Sequence, residues 1–335
     1  MKKILLTGGV GYIGSHTAIE LHNAGYHVIL VDNFSNSSSS VLENLQRITN
    51  TEFPFYEADC TDKNVLKNIF EIEKPDAVIH FAAFKAVGES VSNPLKYYRN
   101  NLDSLITVLE VMQEAKCKVI VFSSSATVYG IPKILPISET AETIAINPYG
   151  ETKLVGEHIL VDVASSDTEI SVAILRYFNP VGAHESGLIG ENPKGVPNNL
   201  VPYIQQVAGG VLPELLIFGD DYETKDGTGE RDYIHVVDLA EGHVAALSKA
   251  FEGPGLFTVN LGTGEGYTVL DLVKTFETVN SVKVPYRIVA RRGGDAASAY
   301  ANPDSAYKLL GWKAKKNLSQ MMQDSWRWQQ NSSDK

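Results

Sequence analysis

Between residues 3 and 175 the chain alternates short apolar runs with helical patterns, and this alternation restricts the possible fold more than any single motif does. Residues 3–6, 27–31, 53–56, 77–81, 119–122 and 172–175 are short, apolar and often β-branched, which predicts buried strands. Helical patterns begin near Tyr12, after Lys63 and at Pro148, and one runs over about 94–114. A parallel strand needs a long crossover before its neighbour, so strand–helix alternation predicts a parallel sheet covered on both faces. After Arg176 the pattern changes. Gly and Pro become frequent over 179–213, followed by helices near 200–208, 237–251 and 269–279 and strands at 215–218, 257–261 and 286–289. The expected fold class is α/β: a Rossmann-type doubly wound parallel sheet with a smaller C-terminal α/β domain. Residues 1–178 are expected to form the first domain and 179–335 the second, with about 232–261 returning to the first. The polar tail after Gln329 is expected to fray.

Hydrophobic residues make up 44% of the 335, enough apolar surface for a large core. The formal net charge of -11 repels nucleic acid and anionic membrane, so neither is an expected partner. A polyanionic ligand then needs a local cluster of arginines. Two cysteines, Cys60 and Cys117, do not make a disulfide framework, and a reducing, cytoplasmic setting is the simpler expectation. The opening apolar run stops at Thr7-Gly8-Gly9, too early for a secretory leader, and no stretch is long enough to span a bilayer. Scattered His and Cys residues give no support for a metal site.

Thr7-Gly8-Gly9-Val10-Gly11-Tyr12-Ile13-Gly14 follows the first predicted strand and opens the first helix. The spacing of Gly8, Gly11 and Gly14 is a variant of the dinucleotide fingerprint. Bare glycine backbone can approach a pyrophosphate, and the free N–H groups of a helix start can hold it. Glycines alone are as readily an ordinary turn. Asp32 tips the balance, because it ends the second strand near the offset expected of a ribose-binding acid. A carboxylate there repels a 2′-phosphate, and Asn33-Phe34-Ser35-Asn36 contains no arginine, so NAD is favoured over NADP. Asp59 after the third strand is placed to meet adenine, and Phe81-Ala82-Ala83 after the fourth to line the cofactor.

Tyr149 and Lys153 form a Tyr-x-x-x-Lys pair on one face of a helix that Asn147 can cap and Pro148 can start. A free phenol titrates near pH ~10 and is a poor base at neutral pH, and a nearby ammonium favours its ionised form. An isolated pair of this kind is usually surface decoration. Here Ser123-Ser124-Ser125-Ala126-Thr127 follows the fifth strand, at the edge where open α/β sheets bind ligands, and Ser125 can hydrogen-bond the same hydroxyl as Tyr149. Fingerprint, acid, serine run and Tyr-Lys pair occur in the order that one fold requires.

These residues resemble the extended short-chain dehydrogenase/reductase family over nearly the whole chain. GGVGYIGSHT at 8–17, SSSATVYG at 123–130 and Tyr149 with Lys153 are shared widely in that family. RYFN at 176–179, PNNL at 197–200, GERDYIH at 229–235 and the late Arg291 to Asp295 segment are more specific. The resemblance implies inversion at C4 of a UDP-hexose, UDP-galactose with UDP-glucose, through a 4-keto intermediate and tightly bound NAD. It places NAD against Gly8, Gly11, Tyr12, Ile13, Gly14, Asp32, Asn33, Phe34, Ser35, Asn36, Ser37, Asp59, Cys60, Phe81, Ala82, Ala83, Phe84, Lys85, Asn100, Tyr149, Lys153 and Phe178. Tyr149 is implied as the base, with Lys153 its electrostatic partner and Ser125 the hydroxyl ligand. The UDP sugar is implied against Lys85, Ser125, Thr127, Tyr149, Tyr177, Phe178, Asn179, Asn199, Leu200, Phe218, Arg231, Tyr233, Arg292, Asp295 and Ala299. A diphosphate suits guanidinium groups, which agrees with Arg231 and Arg292, although both also read as surface ion-pair partners. The resemblance also implies a homodimer built from two helices per subunit. Small Ala299, where narrower enzymes of the kind carry tyrosine, implies acceptance of N-acetyl sugars.

Three rival readings stand beside this one. A nucleotide-sugar dehydratase needs an Asp-Glu pair after the active-site threonine, whereas Val128-Tyr129 follows Thr127. Another UDP sugar, such as a pentose, is an alternative substrate. A non-catalytic NAD-sensing protein is disfavoured by the intact Ser125, Tyr149 and Lys153.

Overall fold

All six strands expected in the first half belong to one parallel sheet, and a seventh comes from later in the chain. The computed structural model describes residues 1–193, 197 and 199–333. The first half comprises β1 (Lys3–Thr7), α1 (Tyr12–Asn23), β2 (His27–Asp32), α2 (Ser40–Thr49), β3 (Phe55–Glu57), α3 (Lys63–Glu73), β4 (Ala77–His80), α4 (Val87–Ser92), α5 (Pro94–Ala115), β5 (Val119–Ser125), α6 (Pro148–Ser166) and β6 (Ser171–Tyr177). The second comprises β7 (Asn179–Val181), α7 (Leu200–Ala208), β8 (Leu215–Phe218), β9 (Glu230–His235), α8 (Val236–Ala250), β10 (Gly255–Leu261), β11 (Gly266–Thr268), α9 (Val269–Asn280), β12 (Tyr286–Val289), β13 (Ser298–Ala299), α10 (Asp304–Leu310) and α11 (Leu318–Ser333).

The large sheet runs β10-β6-β5-β4-β1-β2-β3 with every pair parallel. Alternate residues feed opposite layers, as the two-residue period of a strand requires. Ile4 and Leu6 of β1 join Leu21, Leu239 and Leu247 under α1 and α8, while Leu5 joins Leu66, Leu105 and Leu160 under α3, α5 and α6. Each such side chain contributes about 1.5–3 kcal/mol on burial. The chain steps outward from β1 to β3 and then returns to the other side of β1. A crevice therefore opens beyond the carboxyl ends of β1 and β4.

In the second half β9 is central, parallel to β7 and β13 and antiparallel to β11, while β8 and β12 form a separate parallel pair. Ile204, Ile217, Phe276, Met321 and Met322 fill the core beneath them. No helix among the described residues is long and apolar enough to cross a membrane.

Several details differ from expectation. The third strand starts at Phe55 rather than 53, since Pro54 has no N–H for the ladder. A second run of serines, at 37–40, hides α2, which packs Val41, Leu42, Leu45 and Ile48 on the core. β9 was not legible because Glu230, Arg231 and Asp232 do not read as a buried strand. Asp232 is buried only because Thr263, Gly264 and Ala301 donate to its carboxylate. The tail does not fray through Ser333. α11 continues to that residue, and Asn331 Nδ2 donates to Gly187 O at 3.1 Å. Asp334 and Lys335 of that tail, and Asn198 of the 197–200 motif, lie outside the described residues.

Candidate active site

A cleft of about 620 Å³ occupies the crevice. It is lined by Gly8, Gly11, Tyr12, Ile13, Gly14, Asp32, Asn33, Ser35, Asn36, Ser37, Asp59, Cys60, Phe81, Ala82, Ala83, Phe84, Lys85, Asn100, Ser125, Thr127, Tyr149, Lys153, Tyr177, Phe178, Asn179 and Asn199. Phe34 is not in that lining. Its ring packs on Phe55 with centroids 5.2 Å apart, so any place it has on the cofactor falls to its backbone. Leu200, Phe218, Arg231, Tyr233, Arg292, Asp295 and Ala299 also lie outside the cleft lining.

One end of the cleft is made of backbone. Gly8 sits at φ +67°, and a Cβ on Gly14 would stand 2.3 Å from the Gly8 carbonyl oxygen. The turn therefore stays bare. The first N–H groups of a helix lack intrahelical partners, and Gly11 at the N-cap of α1 brings no side chain to take them. That donor set suits an anion. Across from it, the Asp32 carboxylate accepts from Val10 N at 3.1 Å, Phe34 N at 2.9 Å and Ser37 Oγ at 2.7 Å. These bonds fix the carboxylate and leave capacity to accept further hydroxyls. Asn33 Nδ2 donates to Asp59 Oδ2 at 3.0 Å, joining the turns after β2 and β3. Bare backbone donors opposite a fixed acid fit a dinucleotide with two ribose hydroxyls. Cys60 is buried and its thiol is pushed up to about 12 by burial, so it is no nucleophile.

At the other end, Asn147 Oδ1 accepts from Gly150 N at 2.9 Å and Pro148 starts α6, which fixes where Tyr149 and Lys153 project. Lys153 is buried, and its Nζ donates to Ser123 O at 2.6 Å. Burial lowers its ammonium to about 7, opposed by Glu157 one turn further along the helix. Glu157 is itself held by Arg176, through Nε at 2.9 Å and Nη2 at 2.6 Å. Ser125 Oγ accepts from Thr127 N at 3.2 Å and Thr127 Oγ1 at 2.9 Å. Burial raises the Tyr149 phenol, while a hydrogen bond with Ser125 and the charge of Lys85 pull it back. Lys85 is thus a second cation facing the phenol, in addition to the Lys153 that the helix pairs with it.

The arginines form a second cluster. Arg292 Nε donates to Asp295 Oδ2 at 3.0 Å, and its guanidinium lies 4.7 Å from the Phe218 ring centroid. Arg231 Nη2 is 3.9 Å from Asp295 Oδ1. β9 carries this cluster toward the cleft. Tyr233 is in register with Asn179 of β7, and Arg231 with Ala299 of β13, so these four share one face of the small sheet. Ala299 packs in the same cluster as Phe178, a cleft residue.

Sequence reasoning missed Glu191 and Trp328, both of which line the cleft, and gave Ser123 no role of its own. Trp328 had a usable signal: Leu318, Met321, Met322 and Trp326 fall at helical spacing, which marks the helix that brings it in. Glu191 had none. Among the described residues, no group of three or more His, Cys, Asp or Glu is arranged to hold a metal ion.

Residues 4–262 match the model of the NAD dependent epimerase/dehydratase family. The chain is 56% identical over 326 residues to the UDP-glucose 4-epimerase of Bacillus subtilis (strain 168), covering 97% of this chain and 96% of that protein. It is also similar to the crystal structure of UDP-glucose-4-epimerase from Stenotrophomonas maltophila with bound NAD and formylated UDP-arabinopyranose, with a TM-score of 0.98 at 50% identity over 100% of this chain and 99% of that one. The structure of the Bifidobacterium longum UDP-glucose 4-epimerase in complex with NAD+ and UDP gives a TM-score of 0.96 at 50% identity, over 99% of each chain.

Proposed function

Because this chain belongs to the NAD dependent epimerase/dehydratase family, we propose that it interconverts UDP-galactose and UDP-glucose by inverting C4 of the hexose, with NAD held throughout. The observation that carries this reading is the convergence of Ser125, Tyr149 and Lys153 on the cleft that the glycine turn and Asp32 also line. Gly8, Gly11, Gly14 and Asp32 hold the adenosine diphosphate end of NAD, with Asp59, Asn33 and Phe81 to Lys85 along its length. Bound NAD supplies an acceptor that takes the C4 hydride and gives it back. Tyr149, as phenolate, accepts the proton of the C4 hydroxyl, and as phenol it later returns that proton. Ser125 hydrogen-bonds the same oxygen, and Lys153, held by the Ser123 carbonyl, favours the phenolate and holds the nicotinamide ribose. Arg231 and Arg292 hold the diphosphate away from Tyr149, so the 4-keto sugar turns over while its nucleotide stays anchored. Incubating purified protein with UDP-galactose and no added NAD tests this. UDP-glucose is expected to form, and a strict need for added NAD at every turnover would overturn the bound-cofactor part.

Three finer readings follow from particular residues. Small Ala299 beside the Phe178 cluster leaves room for an N-acetyl group, so UDP-N-acetylglucosamine is an expected substrate and Ala299→Tyr is expected to exclude it. Wild type that ignores the acetylated sugar, or an Ala299→Tyr variant that still takes it, overturns this. α5 and α6 pack together and expose Leu95, Ile106 and Val161, apolar surface that a second copy would cover. A homodimer through these helices is expected by light scattering. Both thiols are free and buried, which supports a reducing, cytoplasmic setting.

A further inference from the structure

α8 buries a histidine among the apolar side chains that hold it to the large sheet. His243 is fully buried, with Leu239 and Leu247 one turn away on either side. A polar ring is costly in such a place unless both its nitrogens are paired, and here both are. Nδ1 lies 2.8 Å from Leu239 O, and Nε2 is hydrogen-bonded to the Tyr177 hydroxyl. A carbonyl oxygen can only accept, so Nδ1 carries the ring proton. Burial lowers the imidazole to about 4, so the ring stays neutral at working pH and Nε2 is a bare acceptor. Tyr177 has one O–H, and it therefore donates to His243.

The direction of that bond matters because Tyr177 belongs to the cleft. It ends β6, in register with Ser125 of β5, and lines the cleft together with Ser123, Ser125 and Tyr149. The imidazole is wedged between two cleft residues. Its centroid is 5.0 Å from that of the Tyr177 ring and 4.9 Å from that of Phe81, which follows β4. With its proton committed to α8, the phenol oxygen has only lone pairs left to offer. The Ser123 hydroxyl hydrogen-bonds that oxygen, and beside an acceptor it is the donor. Burial, with the charge of Tyr149 nearby, holds the Tyr177 phenol well above its ordinary range, so it does not ionise. A chain of one direction thus runs from Ser123 through Tyr177 and His243 to the Leu239 carbonyl, and bonds polarised in one direction strengthen each other. Its first member is the residue whose carbonyl accepts from Lys153 Nζ at 2.6 Å.

We propose that His243 is a positioning residue for the redox end of the cleft, which fixes Tyr177 as an acceptor and, through it, sets the Ser123 residue that seats Lys153. Its effect on turnover rests on the UDP-hexose epimerisation proposed above, whereas the hydrogen-bond chain does not. An apolar side chain at 243 leaves the Tyr177 O–H without its acceptor, free to turn toward Ser123 and compete with that donor. The test uses NAD-loaded protein in four variants: His243→Gln, whose side-chain carbonyl reaches where Nε2 stands, His243→Leu, Tyr177→Phe, and His243→Leu combined with Tyr177→Phe. The proton on the His243 ring is located by nitrogen NMR of histidine-labelled protein. NAD content is measured after denaturation, and kcat and KM for UDP-galactose are taken per NAD-loaded molecule.

In wild type the ring is expected to be neutral with its proton on Nδ1, and not to titrate above about pH 5. His243→Leu is expected to lower kcat by roughly tenfold to 10²-fold, the cost of a small misplacement at a reacting centre, with KM within about twofold of wild type. Tyr177→Phe is expected to lower kcat by a similar factor, and adding His243→Leu to it to change kcat no further. His243→Gln is expected to bring kcat back to within about threefold of wild type, since the acceptor is restored. A proton on Nε2, or a kcat in His243→Leu that stays at the wild-type value, overturns the proposal. So does an equal effect of His243→Leu with and without Tyr177→Phe, or a His243→Gln variant as slow as His243→Leu. If His243→Leu fails to fold, the double substitution takes its place, because it removes both polar partners at once. A double substitution with wild-type kcat then overturns the proposal equally. Because locating the ring proton needs no turnover, wild type with the proton on Nδ1 that does not epimerise UDP-galactose sinks only the proposed function. Epimerisation with the proton on Nε2 sinks only the role of His243.

Discussion

The glycine turn at residues 8–14 and the cluster around Arg231 and Arg292 both suit anionic groups, but they are built from different parts. At the turn the donors are backbone, the conformation is set by Gly8 at φ +67°, and no side chain intervenes. Asp32 beside it is already held by three donors. At the arginines the donors are long side chains. Arg292 is 58% exposed and pairs with Asp295, an arrangement worth about 0–1 kcal/mol in solvent. A group bound at the turn meets a site that needs no reordering, whereas a diphosphate at the arginines must compete with Asp295 and order the exposed Arg292 chain. The first construction suits a cofactor that stays, and the second suits a substrate that leaves after each cycle.

The largest expected effect separates the chemistry from both ends. Tyr149→Phe should lower kcat by about 10²–10⁴-fold. NAD content and UDP affinity should stay near wild type, and a variant that turns over normally removes Tyr149 from the reaction.

The second prediction contrasts a buried cation with an exposed one. Lys153 titrates at about 7 in the folded protein because burial disfavours its charge. An unfolded lysine titrates near ~10.4. The unfolded chain therefore binds more protons between those values, and stability rises with pH across that window. Below pH 7 the folded state carries the full cost of burying an ammonium. Lys153→Met should relieve that cost at pH 6, by a few kcal/mol at most on an order-of-magnitude basis, and the gain should shrink by pH 9. Arg292→Met should show no such pH dependence. Urea unfolding of NAD-free protein at both pH values decides it, and a constant difference for Lys153→Met would falsify the assignment.

Third, Gly14→Ala should destabilise the protein by about 1–3 kcal/mol through overpacking against the Gly8 carbonyl, and should lose co-purifying NAD. Full retention of NAD would break the contrast drawn between backbone and side-chain sites. The smallest effect belongs to the arginine end. Arg231→Ala should weaken UDP by roughly tenfold, the loss of one charged hydrogen bond, with NAD content and unfolding unchanged. A drop in NAD content there would mean the two ends are not separate.

Much of this molecule depends on neighbours a few residues apart, and that part was legible in the chain alone. Short apolar, often β-branched runs marked the strands of the large sheet, and residue types at set offsets marked the Asn147-Pro148 start of α6, the glycine turn and Asp32 at the end of β2. Each rests on local sterics, capping or burial on both faces, which residue types report directly. Tertiary packing decided the rest. Lys153 reaches the Ser123 carbonyl, Asp232 survives inside β9 on donors from distant loops, and Lys85 meets Glu191 across 106 residues of chain. Such contacts join single polar side chains with no periodic signature. Their partners, their burial and hence their charge states exist only once the two halves have closed on each other.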